Sequence, residues 1–426
     1  MLKLIVQHSP QLLAFLCGLH LRLSKPQWQH VLRLADALVV SEARHKTLAG
    51  LSRLIVEAPD ASNGADTLRI SPWTAEDLRA PIRHFIVADL VAYAHQSGNW
   101  TLYVSLDDSL DAKDKGTRHL EAVDYHHDHT KSQGKKKPYY TNGAVHVEVR
   151  LELGARSYAY DWRLYLREKT VRRLNRERVP EQRLHFRKKT TLAQAMLAEL
   201  QQLLPPGFQV YVLFDSWYAA NRLLKFCRRQ RWHVVCAIKS NRKLDDQKLS
   251  QWPQALRHQR YQRVQLTATD QRQRTYLVRT LQGKLNTLPF EVCVLISQRH
   301  HRDKHPKYFL CTDLALSAQQ ILSTYQKRWP IEVDNFYVKQ HLGLADFRVQ
   351  SYEATDQWFA IVFLAFVFLQ WRFNHAHAKE QWHSLADVVR QHRYEHARTL
   401  LETACQEAAK LRDYLPVLKR FLCQPT

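Results

Sequence analysis

The nine residues Trp100–Asp108 read WTLYVSLDD, a β-rich run that ends in two adjacent carboxylates. A strand-forming run followed by an acidic pair predicts a buried strand with a ligand site at its C-terminal end. A second apolar run, Phe208 to Phe214, leads directly into Asp215. For either acidic position alone, a turn is the alternative interpretation, because Asp also favours the turns that follow strands.

The segments around these two runs alternate between strand and helix patterns. Residues 144–153 and 158–166 predict two further strands, and residues 232–238 predict another after Asp215. Residues 191–203 and 219–230 have helical spacing. This order predicts an α/β fold with a mixed sheet flanked by helices. The polar stretch between residues 113 and 141 is predicted to be a loop.

The rest of the chain divides by the period of its apolar residues. Four consecutive strand patterns between residues 244 and 312 predict a β-rich insertion, whereas both ends of the chain have helical spacing. We therefore predict a helical N-terminal region (1–95), an α/β core in two parts (96–243 and 313–370) separated by the insertion (244–312), and a helical C-terminal region (371–426).

The charge of the chain points to a polyanionic partner. There are 63 Lys and Arg against 40 Asp and Glu, which gives a net charge of +23. Nucleic acid is the partner that such a basic surface favours, because phosphate contacts release counterions. An anionic membrane is the rival, but no basic amphipathic helix stands out, and the longest apolar run, Trp358 to Leu369, is too short to span a bilayer. That run predicts a buried helix.

The cysteines and the N-terminus indicate the compartment. The seven cysteines are scattered, odd in number and never spaced as Cys-x-x-Cys, which favours reduced thiols over disulfides or a zinc ribbon. No signal peptide is evident in the first 25 residues. We therefore expect a cytoplasmic protein with no membrane partner.

A third acidic residue lies in the segment Tyr325–Lys339, which reads YQKRWPIEVDNFYVK. On one continuous helix, Tyr325, Arg328, Glu332 and Lys339 would lie along a single face. A surface helix with an Arg–Glu ion pair is the alternative, and Pro330 weakens the one-face prediction because proline kinks or opens a helix.

This spacing carries a resemblance to a known family. The pattern Tyr-x2-Arg-x3-Glu-x6-Lys resembles the insertion-sequence transposases of the YREK type, a large group related to insertion sequence four. Three further blocks resemble the motifs of that family in the same order: Leu106–Ser109 with Lys113–Gly116, Asp215–Tyr218 with Asn221, and Lys339–Leu344. The resemblance covers roughly residues 100 to 370.

The resemblance implies a ribonuclease H-like fold with a β-rich insertion and a DDE active site. It implies that Asp108, Asp215 and Glu332 are catalytic and bind two Mg²⁺ ions, with Mn²⁺ as a substitute. Carboxylate ligands suit these hard cations, and a pair of them supports phosphoryl transfer. Adjacent strand residues point to opposite faces, so only one of Asp107 and Asp108 can reach the metals. The first motif favours Asp108, and Asp107 stays open.

DNA-binding roles follow for the remaining motif residues. Arg328 and Lys339 can bind phosphate oxygens, and Tyr325 can donate a hydrogen bond to them. Trp217 can stack on an unpaired base, with core packing as the alternative. By analogy, the N-terminal region would bind transposon ends.

We therefore predict a bacterial, nucleoid-associated transposase that cleaves transposon ends and joins them to target DNA. Its expected partners are double-stranded DNA (terminal inverted repeats and target) and a second copy of the chain in a synaptic homodimer. Two alternatives remain open: a ribonuclease H-like DNA nuclease without strand transfer, and a domesticated transposase that only binds DNA.

Overall fold

The structure is a computed structural model that describes the chain except residues 1, 59, 135–136, 268–271, 302, 304, 377–381 and 423–426. The described helices are α1 (Pro10–Gly18), α2 (Lys25–Val40), α3 (Leu48–Ser52), α4 (Ala61–Arg69), α5 (Glu76–Ser97), α6 (His129–Ser132), α7 (Glu168–Leu174), α8 (Lys189–Leu203), α9 (Asn221–Arg229), α10 (Trp252–Ala255), α11 (Ala318–Gln326), α12 (Pro330–His341), α13 (Tyr352–Asn374), α14 (Leu385–Leu411) and α15 (Leu415–Phe421). The strands are β1 (Thr101–Ala112), β2 (Asp124–His127), β3 (Tyr140–Leu153), β4 (Arg156–Tyr165), β5 (Gln209–Phe214), β6 (His233–Ile238), β7 (Lys243–Leu244), β8 (Gln247–Lys248), β9 (Gln262–Thr267), β10 (Gln273–Lys284), β11 (Glu291–Gln298) and β12 (Lys307–Cys311).

One ten-stranded mixed sheet organises the molecule. Its order is β2-β3-β1-β5-β6-β12-β11-β10-β9, and β4 pairs with β3 outside this path. The strands β1, β5 and β6 are parallel, whereas β3 and β4 continue the sheet antiparallel on the β1 side. This arrangement is an α/β fold consistent with the ribonuclease H-like class, as predicted.

The four strands between residues 262 and 311 extend the same sheet. Strand β12 pairs antiparallel with β6, and β11, β10 and β9 follow in order. The chain therefore lengthens the sheet beyond β6 before it returns to helix α11. The proposed domain boundaries themselves stay a prediction.

The two faces of the sheet pack against different helices. Leu102 and Val104 of β1 belong to the main core, where residues of α8 and α9 cover this face. On the opposite face, Tyr211 and Leu213 of β5 pack in a smaller core with Ile321 of α11. Because side chains alternate along a strand, each residue of β1 belongs to one of these two sides.

The apolar run Trp358–Leu369 lies inside α13, where each of its residues is buried. By length and composition this helix could cross a membrane, but 89% of its most apolar 18-residue stretch is buried inside the protein. It packs against β4, α2 and α5. The predicted buried helix is therefore the core helix of the fold.

Two local predictions were wrong. Strand β1 does not end before Asp107 but continues to Ala112, because its second half pairs with β3 from Asp107↔Glu148 to Ala112↔Gly143. The stretch predicted to be a loop, residues 113–141, contains β2, which pairs with the start of β3. Its polar composition concealed this short edge strand, since an edge strand does not need apolar side chains on both faces.

Candidate active site

The adjacent residues Asp107 and Asp108 project from the middle of β1 towards opposite sides of the sheet. Asp107 accepts a hydrogen bond from Arg328 (2.7 Å between Oδ2 and Nη1), next to helix α12. Asp108 accepts one from Lys189 at the start of α8 (2.6 Å between Oδ2 and Nζ) and one from Tyr218 (3.1 Å). The alternation of the strand therefore separates two carboxylates that are neighbours in sequence.

Arg328 joins Asp107 to Glu332. Its other terminal nitrogen, Nη2, lies 2.6 Å from Oε1 of Glu332, which is in the first turn of α12. The guanidinium is largely buried, and this fork-shaped group suits two carboxylates at once. Asp107 and Glu332 thus face the same positively charged group, although 225 positions separate them in the numbering (332 − 107).

Asp215 lies on the same side as Asp107. The parallel register of β1 and β5 pairs Ser105 with Leu213. Two residues further along the chain come Asp107, still in β1, and Asp215, just after the end of β5. The Oδ1 atom of Asp215 accepts from the backbone N–H groups of Trp217 (2.8 Å) and Tyr218 (3.3 Å), which fixes the carboxylate at the start of the turn. This turn gives Asp215 a rigid position immediately after the strand.

The electrostatics of Asp107 agree with this position. The pKa of Asp107 is raised to about 6, mainly by burial; the charges of Asp108 and Asp215 act in the same direction, and Arg328 acts in the opposite direction. Keeping a carboxylate ionised costs free energy when it is buried among other carboxylates, and binding a cation offsets part of that cost.

Tyr325 lies next to this site but in a largely buried position. Its ring packs edge-on against Phe309, with 4.8 Å between the ring centroids. Burial raises the pKa of its phenol to about 12, so the hydroxyl remains protonated and is a hydrogen-bond donor at neutral pH.

Lys339, in the last turn of α12, reaches back to β1. Its Nζ atom lies 2.7 Å from Oγ of Ser109 and 2.8 Å from the carbonyl oxygen of Leu110, and 3.4 Å from Oδ1 of buried Asp111. Lys339 therefore fastens the end of α12 to the strand that carries Asp107.

Trp217 is on the surface rather than in the core. Its side chain is 42% exposed and its ring contacts Tyr218 edge-on. The ammonium of Lys189 lies 5.3 Å from the ring centroid. Simple core packing is therefore not the reason for a tryptophan at this position.

The one-face prediction for residues 325–339 holds only in part. Helix α11 ends at Gln326 and α12 begins at Pro330, so Tyr325 and Glu332 belong to two helices joined by a tight turn. Proline favours the first turn of a helix, where its missing N–H costs nothing. Arg328 lies in that turn and can reach both Asp107 and Glu332.

Two further groups at the site have no sequence motif. Lys189 holds Asp108, and a strand position opposite Asp107 carries Glu148, which is fully buried. Burial, together with the nearby Asp334, raises the pKa of Glu148 well above its ordinary value. Only a three-dimensional structure could reveal these residues, because each lies at a different point in the chain and its spacing matches no motif.

The donor set on this side of the sheet fits a hard divalent cation. Asp107, Asp215 and Glu332 offer carboxylate oxygens, the ligands that Mg²⁺ prefers. Among the described residues their oxygens do not form a tight group, and Arg328 lies between Asp107 and Glu332.

Comparison with protein families agrees with this geometry. Residues 187–368 match the family model for the transposase DDE domain. This chain carries a transposase DDE domain. A comparison with curated proteins found no match.

The match to the DDE domain includes Asp215, Glu332 and the three residues Tyr325, Arg328 and Lys339. It begins after β1, so it contains neither Asp107 nor Asp108 and does not distinguish between them. A DDE transposase domain supports transposase function and the use of divalent metal ions in general terms.

Proposed function

We propose that this protein is a YREK-type DDE transposase that cleaves transposon ends and transfers the freed strands into target DNA. The observation that carries the proposal is the Arg328 bridge between Asp107 of β1 and Glu332. Arg328, Glu332 and Asp215 all belong to the matched transposase DDE domain. We assign Asp107, Asp215 and Glu332 as the metal ligands. Asp108, which the sequence favoured, faces Lys189 and Tyr218 instead, so Asp107 replaces it in this assignment.

Two Mg²⁺ ions at these carboxylates would activate a water or 3′-hydroxyl and stabilise the charge that develops on the phosphate. The protein residues around them position the DNA. Arg328 is the cation between Asp107 and Glu332, and its guanidinium can donate hydrogen bonds to a phosphate oxygen once metal ions take its place at the carboxylates. Tyr325, whose pKa burial raises further above neutral pH, supplies a neutral donor on the same side.

Lys339 and Trp217 supply two further DNA contacts in this proposal. Lys339 adds a point charge near β1, and the exposed ring of Trp217 offers a stacking surface to a base outside the duplex. Two DNA ends require two active sites, so the proposal includes a homodimer on paired ends in the bacterial cytoplasm.

A strand-transfer assay separates the three possible functions. The substrate is labelled duplex DNA from the regions that flank the gene, where terminal inverted repeats are expected, mixed with Mg²⁺ and a target plasmid. Joined product supports a transposase. Cleavage without joining supports the nuclease, and a metal-independent gel shift without cleavage supports a DNA-binding protein.

The substitution Glu332→Gln tests the assignment of the glutamate. An amide holds a divalent cation poorly, so we expect cleavage to fall by about 10²–10³-fold or more, the size of effect seen when one electrostatic contribution to a transition state is removed. DNA binding in a gel shift should remain. Glu402→Gln, at an exposed carboxylate of α14, is the matched control. Normal turnover by Glu332→Gln would refute the assignment.

A further inference from the structure

A second group of metal-binding side chains lies away from the carboxylates, where α2 meets α14. Asp36 of α2 accepts hydrogen bonds at Oδ1 from His392 (2.8 Å to Nε2) and His396 (3.0 Å to Nε2) of α14. The two histidines are four residues apart, so they share one face of the helix. Among the described residues, these three form the only group of His, Cys, Asp or Glu side chains whose donor atoms all lie within 4.8 Å of one another.

The group is buried in an otherwise apolar helix interface. Asp36 and His392 are inaccessible to solvent and His396 is 3% exposed. The ring of His392 packs edge-on against Phe368 of the core helix α13. A buried carboxylate is costly unless it is hydrogen-bonded or bound to a cation, and one carboxylate with two imidazoles is an ordinary set of zinc ligands.

The surroundings of Asp36 orient it for such a partner. Its second oxygen, Oδ2, accepts from His8 (2.8 Å to Nδ1) and from the backbone N–H of Ser9 (3.4 Å). Oδ1 therefore points to the two α14 histidines. Outer hydrogen bonds of this kind are typical around protein metal ligands, whose orientation they fix.

We propose that Asp36, His392 and His396 bind a Zn²⁺ ion that ties the N-terminal helix α2 to the C-terminal helix α14. Imidazole and carboxylate are ordinary zinc ligands with bonds of about 2.0–2.2 Å, which place tetrahedral ligand atoms roughly 3.4 Å apart. The observed distances from Oδ1 of Asp36 to the two Nε2 atoms are 2.8 and 3.0 Å. They would widen by roughly 0.4–0.6 Å to reach this tetrahedral spacing. A water molecule, or His8 after a small movement, would complete the coordination.

Burial favours zinc over a reactive iron centre. Two histidines and one carboxylate can also hold Fe²⁺ in oxygenases, but those sites keep open positions for oxygen and substrate. Here the three ligands are shielded by α13 and by each other, so the ion would have a structural role. Residues 36 and 392 are 356 positions apart, and the bond would therefore link the two ends of the chain.

The test uses the full-length protein, stripped with a chelator, dialysed against Zn²⁺ and washed. Metal analysis should find one tightly bound Zn²⁺ per chain, and Co²⁺ in its place should give the visible absorption of a tetrahedral nitrogen–oxygen site. Zinc should also raise the melting temperature of the stripped protein.

The variant His396→Gln separates zinc binding from hydrogen bonding. Glutamine can still donate to Asp36 but is a poor zinc ligand, so the fold should persist while tight zinc and the cobalt spectrum are lost. His84→Gln, at an exposed histidine of α5, is the control and should keep the metal. Glu332→Gln should also keep it, which shows that the ion is not at the active site.

Two results would overturn the proposal. One is a folded wild-type protein that retains no zinc after the wash and whose melting temperature does not respond to zinc. The other is unchanged zinc content in His396→Gln. Neither readout involves DNA cleavage, so the zinc site stands or falls separately from the proposed transposase activity.

Discussion

At the scale of single residues, the choice between Asp107 and Asp108 depends on the direction in which each side chain leaves β1. Asp107 meets Arg328 on the side of Glu332, and Asp108 meets Lys189 and Tyr218 on the other. We expect Asp107→Asn to reduce cleavage by about 10²–10³-fold or more, because it removes a metal ligand, and Asp108→Asn to have a clearly smaller effect. Single-turnover cleavage rates check this, and the reverse order would restore Asp108 as the ligand.

The raised pKa of Asp107 predicts how activity depends on pH. Only the ionised carboxylate binds a cation, so cleavage should decrease as the pH falls through the pKa of about 6. Because metal and proton compete for the same group, a higher Mg²⁺ concentration should move this acid limb to lower pH. The measurement is the pH–rate profile at two Mg²⁺ concentrations. An acid limb whose position does not change with the Mg²⁺ concentration would argue against Asp107 as a ligand.

Arg328 gives a second test of the same electrostatics. Its charge lowers the pKa of Asp107, so Arg328→Gln should raise that pKa and move the acid limb of the profile to higher pH. The rate itself should also fall because a phosphate contact is lost. A lower rate with an unmoved acid limb would mean that Arg328 does not act on Asp107.

Sequence alone indicated some of these proposed site residues more directly than others. Glu332 and Arg328 belong to a fixed spacing on a short segment, and Asp215 directly follows an apolar strand. The choice between Asp107 and Asp108 was not decidable in this way, since it depends on which face of β1 meets α12. Lys189 was missed because it contacts Asp108 from 81 positions away.

At the scale of elements, Gly343 ends the helix that carries Glu332 and Lys339. It has φ of +65°, and a Cβ atom there would lie 2.6 Å from Oδ2 of Asp346. Left-handed backbone costs a residue with a side chain about 1–2 kcal/mol, so Gly343→Ala should lower the free energy of unfolding by at least about that amount. Chemical denaturation measures it.

Gly116→Ala is the control for this helix end. A Cβ atom at Gly116 would have no neighbour within 4 Å, and its φ is not in the left-handed region. We expect a change within about 0.5 kcal/mol, as for ordinary surface substitutions. Equal losses in the two variants would show that the αL conformation of Gly343 does not limit the stability of α12.

The period of apolar residues located some strands and missed others. Strands with buried faces, such as β3, β5 and β11, have apolar patterns that locate them to within a few residues. Periodicity did not locate the exposed edge strand β2, nor did it show that β1 continues past its acidic pair, because pairing with β3 rather than apolar composition maintains that half of the strand.

At the scale of the whole molecule, the helices from the two ends of the chain lie together. α14 packs against both α2 and the core helix α13. Sequence predicted the helical character of both ends but not this contact. His392 and His396 show the spacing of a metal-binding pair, yet their third partner, Asp36, lies at the other end of the chain. No local pattern connects the two.

The net charge of +23 predicts strongly salt-dependent DNA binding. Each neutralised phosphate releases about 0.9 counterion, so a protein with 6–10 phosphate contacts loses about 10³–10⁵ in affinity between 50 and 200 mM salt. Titration of labelled duplex DNA at a series of salt concentrations gives the slope of log K against log salt. Lys339→Gln should reduce that slope by about one, because its ammonium lies beside β1 near the proposed active site. Lys410→Gln, at an exposed lysine near the end of α14, should leave the slope unchanged. An equal change in both variants would mean that Lys339 adds only general charge rather than a defined phosphate contact.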